Sequence, residues 1–125
     1  ARKLLGGAMR QAGIMAAAGL VALRDMRERL ADDHRRAGVL AQGMRELPGI
    51  TVVMPDTNMV YVKASGRAAA LAKSVGTHGV VVLAVDANTL RFVVHKDIDD
   101  QDIDRAMAAM SEETRRAHDE RVQGV

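Results

Sequence analysis

Two stretches of the chain hold residues whose types and spacing could do chemistry. The first is Leu90-Arg91-Phe92-Val93-Val94-His95. Alternation along an extended strand places Arg91, Val93 and His95 on one face and Leu90, Phe92 and Val94 on the other. An arginine inside an otherwise apolar strand needs an anionic partner, because a buried, unpaired guanidinium is costly. That partner is either one of the chain's own carboxylates or a ligand carboxylate, which a guanidinium grips through two parallel hydrogen bonds. The residues alone favour the internal pair. His95 shares the Arg91 face, where a lone histidine at a strand end usually has a structural role. The second stretch is Lys3-Leu4-Leu5-Gly6-Gly7-Ala8-Met9-Arg10-Gln11. Glycines ahead of a helix, flanked by Lys and Arg, can offer N–H groups and positive charge to a phosphate. The Walker spacing is missing and no strand precedes the glycines, so a plain tight turn is the competing reading.

Other chemistry is poorly supported. His34, His78 and His118 lack metal-ligand spacing. Asn58 sits at a turn-to-strand junction, where Asn is favoured for local reasons. The aspartates from Asp97 to Asp104 lack the glycine and terminal glutamate of a calcium loop and read as helix caps. Ser65, Ser74 and Ser111 have no nucleophile-elbow context. No residue of the chain is assigned as catalytic, and no metal is expected.

The elements that must position these residues fit one domain of 125 residues. One Tyr, one Phe and no Trp leave the core to Ala, Val, Leu, Ile and Met, with eight methionines for adaptable packing. A net charge of +2, from 18 basic and 16 acidic residues, argues against nucleic acid. The absence of cysteine excludes disulfides and suits a reducing cytoplasm. No apolar run reaches membrane-span length, and Met9, Arg10 and Gln11 interrupt what a signal peptide would keep apolar. The start at Ala1, without an initiator Met, reads as a cut through a longer protein.

Periodicity predicts a small-residue helix from Ala8 to about Arg24, buried between elements or subunits. Gly13 and Gly19 inside it each cost roughly 0.5–1 kcal/mol relative to alanine, a cost that close packing would explain. A second helix, from about Met26 to Leu47, carries an apolar stripe of Met26, Leu30, Ala37, Leu40, Ala41, Met44 and Leu47. Its charges, Asp33 among them, read as a solvated face on which Asp32 pairs with Arg36. Strands are predicted over 50–54, 59–63, 80–85 and 90–95, the third covered on both faces. A short helix is expected over 66–75, and a last helix from about Asp99 frays from Ala117. This order makes an α+β fold with a small, largely antiparallel sheet. Residues 1–24 would form a connecting segment and interface helix, and residues 25–125 a small α+β domain.

Arg2-Lys3-Leu4-Leu5-Gly6-Gly7-Ala8-Met9-Arg10-Gln11-Ala12-Gly13, continuing through Ala16-Ala17-Ala18-Gly19-Leu20, resembles the low-specificity L-threonine aldolase family. Thr57-Asn58-Met59-Val60, Gly79-Val80 and Leu90-Arg91-Phe92-Val93-Val94-His95 are similar to later segments of the family, in the same order. The resemblance covers roughly residues 1–110. It implies the small C-terminal domain of a fold-type I pyridoxal-phosphate enzyme that cleaves L-threonine or L-allo-threonine to glycine and acetaldehyde. It further implies that Arg91 clamps the substrate α-carboxylate. Lys3 and Arg10 would lie near the cofactor phosphate, reaching across a subunit interface of a homotetramer.

Three departures from the family pattern stand out. Ala8 replaces a third glycine and Val94 replaces a threonine. The lysine that holds pyridoxal phosphate covalently falls upstream of this chain, since Lys3, Lys63, Lys73 and Lys96 all lie outside the matching motif. The chain alone is therefore expected to be inactive. The alternatives are the small domain of another fold-type I lyase or hydroxymethyltransferase, or a noncatalytic module that self-associates through the first helix. A nucleic-acid module is weakest, because charges interleave and aromatics are scarce.

Overall fold

A computed structural model describes the whole chain except Arg2, Ala8, Gly124, Val125 and the side chain of Arg121. The expected helix start at Ala8, and its replacement of a glycine, lie outside the described residues. The chain divides into two compact units, Ala1–Leu30 and Ala31–Val125.

In the first unit, a turn closed by Leu5 N–H on Ala1 O and Gly6 N–H on Lys3 O precedes α1, Ala12–Val21. Gly6 adopts φ +78°, which suits a residue without Cβ. α1 passes into a π-helical turn, Ala22–Met26. Among the described residues the helix begins at Ala12, and it runs past the predicted end at Arg24. The expected burial is not met within the chain: no residue of α1 is buried, and Ile14, Met15, Leu20 and Val21 are exposed. A Cβ added at Gly13 or Gly19 would meet nothing within 4 Å, so no neighbour among the described residues explains either glycine.

The second unit is a four-stranded antiparallel sheet covered on one face by helices. Its helices are α2 (Leu30–Met44, whose first residue ends the other unit), α3 (Ala68–Gly76) and α4 (Asp100–Gln123). Its strands are β1 (Thr51–Val52), β2 (Met59–Lys63), β3 (Leu83–Ala84) and β4 (Thr89–Val93), in the order β1-β2-β4-β3. Alternation sends Val60, Val62, Leu90, Phe92 and Val94 inward, against Leu40, Met44, Leu71, Ile103 and Met110 from the helices. The predicted α2 stripe is buried from Ala37 to Leu47, but Leu30 is exposed.

Several expectations are corrected. The run 80–85 forms only a two-residue edge strand, and Val81, Leu83 and Val85 are exposed. It is covered on one face, not two. Asp33 is buried, not solvated. Arg36 turns from Asp32 to Asp100: Arg36 Nε and Arg35 Nη2 each donate to Asp100 Oδ1 at 2.8 Å, joining α2 to the start of α4. α4 stays helical through Gln123 instead of fraying from Ala117, with buried Thr114 donating to Met110 O at 2.7 Å. The acidic cluster does cap α4, as expected. Asp102 N–H donates to Asp99 Oδ1 at 2.9 Å and Asp99 N–H to Asp102 Oδ2 at 3.1 Å, which satisfies two otherwise orphaned donors. No group of three or more metal-ligating side chains occurs among the described residues. None of their helices is long and apolar enough to cross a membrane.

Candidate functional site

The open face of the sheet holds the site. Arg91 lies in the middle of β4, with Tyr61 of β2 opposite it on one side and Leu83 of β3 on the other. Met59 stands opposite Val93, and Lys63 opposite Thr89. The same alternation that buries Leu90 and Phe92 therefore lifts Arg91, Val93 and His95 onto the uncovered face, as predicted. Around the arginine this face is apolar, with Val53, Tyr61, Val81, Leu83 and Val93 all exposed.

Arg91 is half-buried and forms no ion pair among the described residues. Its Nε is buried without a hydrogen-bond partner. The sequence left two partners open for this guanidinium, and the structure supplies no internal one among the described residues. A buried guanidinium nitrogen without an acceptor is uncommon and costly, and an anion approaching the open face would satisfy it. Arg91 and His95 line one shallow groove with Val81, Val82, Leu83 and Val93.

The end of β4 is fixed from two sides. Val94 N–H donates to Asn58 O at 2.9 Å, and Asn58 Nδ2 donates back to Val94 O at 2.6 Å. Asn58, read from sequence as a local turn residue, is thus a long-range latch. Its turn-to-strand position was legible; its partner 36 residues away was not. Beyond the latch, Ile98 N–H donates to His95 O at 2.9 Å, and Asp97 N–H to His95 Nδ1 at 3.3 Å.

Lys3 and Arg10 belong to the first unit. Both are exposed, in turns, and neither is ion-paired among the described residues. Lys3 lies in the turn that ends at Gly6, and Arg10 just before α1.

Comparison with known proteins gives this geometry a context. Residues 1–67 match the model of the family described as beta-eliminating lyase. The chain belongs to that family. Low-specificity L-threonine aldolase 1 of Arabidopsis thaliana is 33% identical over 127 residues, covering 91% of this chain and 36% of that protein. The low specificity L-threonine aldolase of Escherichia coli K12 is 41% identical over 98 residues, covering 78% of this chain and 28% of that protein. This beta-eliminating lyase family chain thus spans about a third of the length of the curated relatives it matches. Among solved structures, the aminotransferase TlmJ of Streptoalloteichus hindustanus is similar with a TM-score of 0.65 at 17% identity. That match covers 75% of this chain and 34% of that one, and it supports the α+β fold.

Proposed function

We propose that this chain is the C-terminal small domain and connecting helix of a pyridoxal-phosphate-dependent carbon–carbon lyase. Its reaction would be cleavage of L-threonine or L-allo-threonine to glycine and acetaldehyde. The observation that carries the reading is Arg91, a half-buried strand arginine with no carboxylate partner among the described residues, set on an uncovered face in a relative of named threonine aldolases.

Arg91 holds the substrate α-carboxylate and so fixes how the Cα–Cβ bond is presented. Lys3 and Arg10 hold the cofactor phosphate from a neighbouring subunit of a homotetramer, and their exposure fits that task. When bound, pyridoxal phosphate supplies the electron sink for the pair released as the bond breaks. The lysine that holds it covalently lies outside this chain, so the 125-residue polypeptide is inactive by itself.

The test is acetaldehyde release by the complete enzyme that carries this chain, with and without Arg91→Ala. A fall in kcat/KM of about a hundredfold or more, dominated by KM, is expected for a lost charge-assisted clamp. Equal activity in both proteins would remove the clamp. No threonine cleavage by the unaltered complete enzyme would remove the aldolase reading.

A further inference from the structure

We propose that His95 is a second substrate-contacting residue, whose Nε2–H donates to the 3-hydroxyl of the amino acid that Arg91 holds by its carboxylate. This inference rests on the aldolase reading above and adds the group that recognises the other polar end of the substrate.

Three observations carry it. First, His95 has no packing role to explain it. Its side chain is 53% exposed, on the opposite face of the sheet from the core. Second, the ring is nonetheless held. The Asn58 latch fixes the preceding residue, Ile98 N–H binds the His95 carbonyl, and Asp97 N–H donates to Nδ1. Where Nδ1 accepts that bond, with Asp97 Oδ2 3.7 Å from the same nitrogen, the neutral ring carries its proton on Nε2. No described residue takes the hydrogen bond that Nε2 offers. The turn thus presents one oriented donor to the open face.

Third, His95 and Arg91 line the same groove, with apolar Val81, Leu83 and Val93 between them. Four residues along a strand separate their Cα atoms by about 13 Å. The two side chains, the carboxylate and 3-hydroxyl of one small amino acid, and hydrogen bonds of about 2.8 Å at each end together span that distance. With Nδ1 accepting, His95 is a donor that positions the hydroxyl and is not the base that removes its proton.

The complete, cofactor-loaded enzyme tests this with L-serine and L-alanine as competitive inhibitors of threonine cleavage. The pair differs only by the hydroxyl. His95→Asn keeps an acceptor where Nδ1 caps the turn and removes the Nε2 donor. It is expected to reduce the preference for serine over alanine about tenfold while leaving alanine binding unchanged. His95→Gln restores a donor near the Nε2 position and is expected to recover most of that preference. Arg91→Lys is expected to weaken serine and alanine alike, since both carry the carboxylate. An unchanged serine-to-alanine ratio in His95→Asn would overturn the inference while leaving the aldolase reading intact. If that variant does not fold, the ¹⁵N resonance of His95 Nε2 in the unaltered enzyme reads the same contact. A shift on adding serine but not alanine supports it, and none with either overturns it. A complete enzyme that binds neither amino acid would overturn the aldolase reading, and the His95 contact with it.

Discussion

Asn58 and Val94 exchange two hydrogen bonds. The Asn58 side-chain amide donates to the Val94 carbonyl at 2.6 Å, and the Val94 N–H donates to the Asn58 carbonyl at 2.9 Å. The pair continues the β2–β4 ladder one step past its last strand partners, Met59 and Val93, and holds the segment that presents His95. Asn58→Ala leaves the Val94 carbonyl without its side-chain donor. It is expected to destabilise the domain by about 1–3 kcal/mol in urea unfolding. Asn58→Asp, which sets a carboxylate oxygen against that carbonyl, should cost at least as much. A loss below about 0.5 kcal/mol for both would show that the latch contributes little.

Arg91 gives the opposite expectation. Breaking a buried internal ion pair costs about 3–5 kcal/mol, but Arg91 has no such pair among the described residues. Arg91→Met is therefore expected to leave unfolding stability unchanged or slightly higher, while the complete enzyme loses substrate affinity. Stability lost to the extent expected of a broken pair would show an internal partner and undercut the clamp.

Acid sensitivity should be traceable to Asp100. The hydrogen bonds from Arg35 and then Arg36 hold its carboxyl below its ordinary value of 3.8. A folded-state value below the unfolded one means that the stabilisation is present above the unfolded pKa. It is lost as pH falls through the folded pKa. The Asp100 contribution is thus complete above about pH 4–5 and fades below 3.8. Asp100→Asn should lower stability at neutral pH and flatten its decline on acidification. Unfolding curves of both proteins across that window check this, and parallel declines would exclude a role for Asp100.

The core should respond as a tightly packed one. Leu40 is 2% exposed and lies among β4 and α4 residues, including Phe92, Val94 and Ile103. Leu40→Ala is expected to cost about 2–5 kcal/mol, from lost burial and the cavity left behind. Chemical denaturation measures it.

The isolated polypeptide should self-associate. Ile14 and Leu23 in the first unit, and Val53 and Val81 on the sheet of the second, are each more than 70% exposed. Sedimentation velocity should show mass rising with concentration, and Leu23→Lys with Val81→Lys should reduce it. A single monomeric species at all concentrations would contradict the expectation.

The sequence by itself determined the order of the elements and the faces of the two central strands. Alternation in 59–63 and 90–95 was enough to say which side chains turn inward, because the strand period is two and the apolar residues occupy every second place. The spacing from Ala37 to Leu47 fixed the buried stripe of α2 in the same way, and the aspartates before α4 announced their caps. The Arg91 face was legible too, as was the family through the Lys3–Gly13 and Leu90–His95 stretches. Tertiary structure decided what depends on partners distant in sequence. Only the register of β2 against β4 set Tyr61 opposite Arg91, and only the closing of the sheet joined Asn58 to Val94. The run 80–85 is apolar enough for a strand covered twice, yet its place at the sheet edge leaves one side open. Asp100 drew Arg36 away from Asp32 because α4 lies within its reach, a contact that no local spacing contains. Whether Arg91 had an internal carboxylate was likewise undecidable from the chain. Its charge required a partner, and only the packing showed that no described carboxylate reaches it.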